Sequence, residues 1–179
     1  MKASSLGWVM VALGVLASTN DAARGQTRTA QAMAPFQGSG EVFVVAPEKL
    51  VILANFAGIL YVQGEPSPLD GAVMLCPVVQ TLDTKSKRAE ANGHCTFADA
   101  ADDVVYSTLT CTGGHGSCEG QLVLTGGTGK FAGITGGGKL TVRAALTETA
   151  ASLSTSGGLV SGATGVTVWP ELKYTIPAR

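Results

Sequence analysis

"LTGGTGKFAGITGGGKL", Leu124–Leu140, is the stretch whose reading decides the fold. At first sight it is a phosphate-binding loop. A P-loop needs G-x-x-x-x-G-K-[ST]. Here Gly129-Lys130 is followed by Phe131, so the magnesium-binding hydroxyl is missing, and Leu124 stands where the first glycine belongs. Gly127–Ala132 does satisfy G-x-G-x-x-A, but that fingerprint works only where a strand turns into a helix whose N-terminus faces the pyrophosphate. "FAGITGGGKL", Phe131–Leu140, carries four glycines, and each costs about 1 kcal/mol against alanine in a helix. Nucleotide binding is excluded, and a mechanical role remains. The strand "QLVLT" ends at Gly126-Gly127, and a compact turn brings Phe131 and Ile134 back inward. The next strand begins near Lys139, and Phe131 plugs one mouth of a barrel.

Outward from this corner, Val, Ile, Leu, Thr and Tyr recur in short runs between Gly, Pro, Asn and Asp, which is the signature of strands and hairpins. Eight strands are expected, over Glu41–Ala46, Leu50–Gln63, Gly71–Leu82, Ala89–Ala98, Asp103–Cys111, Cys118–Thr125, Lys139–Thr147 and Thr164–Ile176. Hairpin-length connections make the chain all-β, a single eight-stranded antiparallel up-and-down β-barrel. Closure is preferred to an open sandwich because it removes exposed strand edges. Fifteen of the 24 glycines lie between Gly113 and Gly165, where bulges and tight corners are therefore expected.

In "KLTVRAAL", Leu140, Val142 and Ala144 share one face while Thr141 and Arg143 share the other, a strand with one dry and one wet side. "VFVVA", "LVILANFAGILYV" and "AVMLCPVV" are apolar on both faces. In a single-layer barrel their outer face needs a cover, and a second copy of the chain is the simplest one.

The N-terminus reads as a secretory signal: Lys2, then the apolar run Leu6–Ala17, then small residues that offer two cleavage sites, after Ala17 and after Gly25. The run is shorter than the roughly 20 residues of a membrane span. Residues 1–25 are accordingly taken as the signal, 26–39 ("QTRTAQAMAPFQGS") as a flexible lead-in, and 40–179 as the barrel. The mature protein is expected to be exported, periplasmic or extracellular, with no membrane span. Loss of Lys2, Asp21 and Arg24 takes the formal charge from −1 to −2, a balance that offers no field to gather nucleic acid.

Cys76, Cys95, Cys111 and Cys118 are an even set in an exported chain, which points to two disulfides. Cys111–Cys118 would clamp "TGGHGS" and Cys76–Cys95 would cross the preceding hairpin; Cys95–Cys111 is the rival pairing. No C-x2-C spacing is present, and no metal or cofactor is called for.

Few residues carry chemistry. Asp99, Asp102 and Asp103 lack the spacing of a calcium loop and read as a solvated turn. His115 has no nucleophile or acid at motif spacing, and no G-x-S-x-G elbow occurs. Glu41, Asn55, Tyr61, Tyr106 and Tyr174 are the polar groups on otherwise apolar strands. They are the candidates to face a cavity and orient a ligand. Catalytic residues are not identified.

"GGTGKFAGITGGGKL" resembles the Gly-Gly-Thr/Ser-Gly-x-Phe…Gly segment shared by plant allene oxide cyclases and dirigent proteins. It is also similar to that of bacterial exported proteins with an allene-oxide-cyclase-like barrel, whose acidic upstream turn "CTFADAADDVVYSTLTC" resembles. The resemblance spans Cys95–Leu140. It implies an eight-stranded barrel, often oligomeric, with a mouth able to hold a hydrophobic molecule. The segment is structural in that family, and no catalytic role transfers to a residue here. Two functions are therefore expected: a non-catalytic exported barrel that binds a small hydrophobic ligand or serves as an interaction module, or a cyclase (an isomerase) of a reactive lipid-like substrate.

Overall fold

A computed structural model describes residues 25–114, 116–145 and 159–178. The strands are β1 (Gln26–Ala46), β2 (Lys49–Ile59), β3 (Tyr61–Gln63), β4 (Val73–Asp83), β5 (Arg88–Ala98), β6 (Val104–Gly114), β7 (Ser117–Gly127), β8 (Thr135–Ala144) and β9 (Leu159–Ile176). All pair antiparallel, in the order β2-β4-β5-β6-β7-β8-β9-β1-β3, and β1 also pairs with β2. That last pairing closes the sheet. β3 keeps the register of β2 along β1, since Phe36 faces Gly58 and Met33 faces Tyr61. β2 and β3 are thus one stave interrupted at Leu60, and the ring has eight staves. This is the expected up-and-down barrel.

The stagger of the staves can be followed through facing residues. Phe43 faces Val51, which faces Thr81, then Glu90, Thr112, Glu119, Thr141, Val168 and finally Met33. The circuit returns to β1 ten residues from its start, at Met33 rather than Phe43. Such a shear tilts the staves. An eight-stranded barrel has an interior just wide enough to be filled by side chains or to hold one small ligand.

Residues 26–39, expected as a flexible lead-in, instead form the first part of β1. Ala32, Ala34 and Phe36 point inward and are buried, and the segment is hydrogen-bonded to β9 on one side and to β2 and β3 on the other. Its inward side chains are mostly small, so the alternation carried little hydrophobic signal. The expected signal segment lies outside the described residues except for Gly25.

The Leu124–Leu140 corner is mechanical. Gly129–Phe131 makes one 3₁₀ turn, and Phe131 and Ile134 are fully buried in the main core. The turn is laced to the β5–β6 connection. Lys130 N–H donates to Asp103 Oδ2 (2.9 Å), Val104 N–H donates to Thr128 Oγ1 (2.8 Å), and Thr128 N–H donates to the Val104 carbonyl (2.8 Å). Gly129 has φ +45°, and a Cβ there would fall 1.4 Å from Asp103 Oδ1. Only glycine fits, both for its backbone conformation and for the carboxylate pressed against it.

Candidate functional site

The two ends of the barrel differ. At one end lie the β5–β6 and β7–β8 connections and the Leu60–Ala72 segment. There Phe131, Ile134, Leu60, Leu69, Leu172 and Tyr174 are buried together in the core. At the other end lie the β1–β2, β4–β5 and β6–β7 turns, and the interior is hollow. A cavity of about 120 Å³ is lined by inward residues of β1, β2 and β4 through β9. Its walls are overwhelmingly apolar: Phe36, Ile52, Ala54, Phe56, Met74, Val78, Ala91, Leu109, Val142, Ala144, Ala163 and Trp169. The hollow follows from the sequence, because four of these wall positions are alanine.

Both disulfides form as favoured, Cys76–Cys95 and Cys111–Cys118, and all four cysteines line the cavity. Cys111 and Cys118 lie diagonally on β6 and β7, with Gly120 opposite Cys111 and Gly113 opposite Cys118. The covalent links thus fasten two adjacent hairpins around the hollow half of the barrel.

Of the polar candidates, Tyr174 alone turns inward, and it lies in the plugged end. Its hydroxyl is 2.8 Å from Ser67 Oγ, and it does not line the cavity. Glu41, Asn55, Tyr61 and Tyr106 are exposed on the outer face, which corrects their expected place at a ligand. The physical reason is parity. Where both faces of a strand are apolar, hydropathy does not say which face is inner. The cysteines carried the missing signal. With Cys111 inward, Tyr106, an odd number of positions away, must point outward.

The polar side chains that do line the cavity are Gln80, Ser117, Thr167 and Trp169. None is ionisable. Thr167 is 5% exposed and Trp169 1%. The Trp169 indole nitrogen is buried with no hydrogen-bond partner among the described residues. The hydroxyls of Thr167 and Ser117 and the amide of Gln80 make no hydrogen bond with any described residue. The Trp169 ring packs edge-on against Phe97 across the lumen, centroids 6.4 Å apart. Sequence reading missed Thr167 and Trp169. Their alternation with Val166 and Val168 in "GVTVWP" was the available sign.

A second concavity, a polar groove of about 730 Å³, runs outside the plugged end. Some of its polar groups are already paired: Tyr174 with Ser67, and Arg28 with the Pro66 carbonyl and Gln26 Oε1. The apolar lining inside the barrel makes the first cavity the candidate site for a hydrophobic ligand.

The acidic turn is a structural knot. The Lys130 ammonium pairs with Asp99, which also accepts the Ala101 and Asp103 N–H groups at 2.8 and 3.0 Å. The lysine first, and these amides after it, hold Asp99 below the usual carboxylate range. His115 lies outside the described residues. Among the described residues no three His, Cys, Asp or Glu side chains gather as a metal site, and no helix is long and apolar enough to cross a membrane. Neither a protein-family model, nor a curated protein, nor a solved structure matches the chain.

Proposed function

We propose that this protein is an exported, non-catalytic β-barrel that holds a small hydrophobic ligand in the hollow half of its lumen. The single observation that carries the reading is the apolar cavity beside a plugged end. A hollow of about 120 Å³ resembles in scale the 150 Å³ apolar cavity that stays dry and takes up benzene. Its walls are mostly apolar and offer dispersion contacts to a hydrophobic ligand. Two disulfides suit an oxidising, extracytoplasmic compartment, where the N-terminal signal pattern would send the chain.

The cyclase reading has less behind it. General acid–base chemistry needs a proton donor or acceptor within reach of substrate, and among the described residues the cavity walls offer no ionisable side chain. A cyclase here would act by confinement alone. The resemblance to allene oxide cyclases and dirigent proteins therefore supports the shape of the barrel more than an activity.

A second copy is the proposed partner, for the outer face of β2–β4. Leu53, Ile59, Val73, Leu75 and Val79 are each 43–56% exposed there. No charged residue stands between the Val51–Thr81 and Ile59–Val73 pairs. Glu41 and Asn92, which face Leu53 and Val79, supply a polar rim, the usual anatomy of a protein interface.

The ligand reading is tested on the intact protein with a hydrophobic, environment-sensitive dye and small hydrocarbons as competitors. Native mass spectrometry after mild extraction reports what co-purifies. Saturable dye uptake reversed by hydrocarbons is expected. A protein that takes up no dye and carries no small molecule would sink the proposal.

A further inference from the structure

The cavity is not uniformly apolar, and among the described residues its polar side chains on β9 find no hydrogen-bond partner. Thr167 and Trp169 are neighbours on the inner face of β9, both more than nine-tenths buried. The indole N–H has no partner, and the Thr167 hydroxyl makes no hydrogen bond with a described residue. A buried donor left unpaired costs roughly 1–3 kcal/mol, so such groups are retained where something else satisfies them. Both side chains line the cavity. Neither is needed to fill the barrel as a polar group: valine would replace threonine at equal volume, and phenylalanine would keep the edge-on contact with Phe97.

We infer that the ligand is a neutral molecule of about one ring in size, bearing a single hydrogen-bond acceptor such as a carbonyl oxygen, which is received by Thr167 and Trp169. This deepens the proposed function and rests on it. Charge is excluded by the same walls. Among the described residues no cationic or anionic side chain lines the cavity, and transferring an unpaired ion into apolar surroundings costs far more than any contact returns. A pure hydrocarbon would leave both β9 donors unpaired. A carbonyl loses its water on entry and regains hydrogen bonds there, so the site discriminates by the acceptor.

The test uses an isosteric pair, cyclohexanone and methylenecyclohexane, which differ in an oxygen against a CH₂ group. Binding of each is measured by calorimetry on the intact protein and on the T167V, W169F and T167V/W169F variants. The double variant should weaken cyclohexanone about tenfold and leave methylenecyclohexane within about twofold, the value of a buried hydrogen bond in fold-change. Each single variant should account for part of the loss. Independently, the Trp169 indole proton resonance, assigned by its absence in W169F, should move downfield with cyclohexanone and not with methylenecyclohexane. If both ligands bind and the double variant weakens them equally, or the indole resonance responds equally to both, the acceptor inference is overturned while the ligand-binding barrel stands. If neither molecule binds the wild-type protein, the proposed function falls and takes this inference with it.

Discussion

Cys76 and Cys95 stand opposite each other on β4 and β5, with Cα atoms 4.1 Å apart, and their disulfide forms part of the cavity wall. The second bridge, Cys111–Cys118, joins the next strands along the same wall. The bridges close chain segments of different length, with sequence separations of 19 and 7. In the chain-entropy account, the longer loop contributes about 3 kcal/mol and the shorter about 2 kcal/mol. C76A/C95A should therefore lower the urea midpoint more than C111A/C118A. The opposite order would show that packing at Cys111, not loop closure, dominates.

Gly129 and Asp103 make the corner a single-residue lesion. With φ +45° and a carboxylate in the space a Cβ would need, Gly129→Ala should cost roughly 2 kcal/mol or more. The carboxylate also receives the Lys130 N–H, so moving it aside breaks the lacing of the turn. Asp103→Ser makes room, and the G129A/D103S double variant should lose less than the sum of the two single losses. Additive losses in denaturant unfolding would show that the steric contact is not the cause.

The sequence and the fold agree where chemistry and geometry gave the same sign. The corner was legible because Phe131 and Ile134 sit among glycines that forbid a helix. The disulfides were legible because short connections leave few partners in reach. β1 was hidden before Glu41, because Ala32 and Ala34 face inward with too little hydrophobicity to stand out from the threonines and glutamines around them. The site was hidden for a related reason. Glu41, Asn55, Tyr61 and Tyr106 are conspicuous polar groups, but polarity on a two-faced apolar strand marks the outer wall. Among the polar residues that do line the cavity are Thr167 and Trp169, two residues that hydropathy alone counts as ordinary strand formers.

Asp99 makes stability depend on acid pH. Its folded-state affinity for protons lies below the ordinary value of 3.8, through the Lys130 ammonium first and the Ala101 and Asp103 amides after it. A carboxylate depressed in the folded state contributes stability above its unfolded pKa. That contribution is lost as pH falls through 3.8 toward the folded value. Asp83, lowered chiefly by the Ser86 N–H, acts in the same direction. Asp99→Asn should thus be less stable than wild type near neutrality, and the gap should narrow as pH drops below about 4. Urea midpoints across that range measure it, and a constant gap would remove the ion pair from the explanation.

Ala91 offers a way to close the cavity without touching its polar pole. It lies on the inner face of β5, half-buried, and lines the hollow. Ala91→Leu places added carbons in empty space, so the overpacking penalty of a filled core, about 1–3 kcal/mol, should not appear. Thermal stability should hold or rise while dye and hydrocarbon uptake fall at least about tenfold. A variant that binds as well as wild type would show that the dye reports the outer wall instead.

The outer wall makes its own prediction. Leu53 and Val79 face each other on β2 and β4 and are 46% and 50% exposed. Leu53→Glu adds a charge at the middle of the apolar face, next to Glu41 on β1. In a monomer this is a surface change, worth about 0.5 kcal/mol or less. In an assembly, it buries a carboxylate with no cation within the patch, a cost of several kcal/mol. Sedimentation velocity should therefore show a wild-type oligomer and an L53E monomer with an unchanged far-ultraviolet spectrum. A cationic substitution distinguishes charge burial from a specific repulsion by Glu41. Leu53→Lys should also dissociate the assembly, because any unpaired ion is disfavoured there, whereas repulsion alone predicts that L53K remains assembled. A wild-type monomer at all concentrations would leave the β2–β4 face open to solvent and remove the second copy from the proposal.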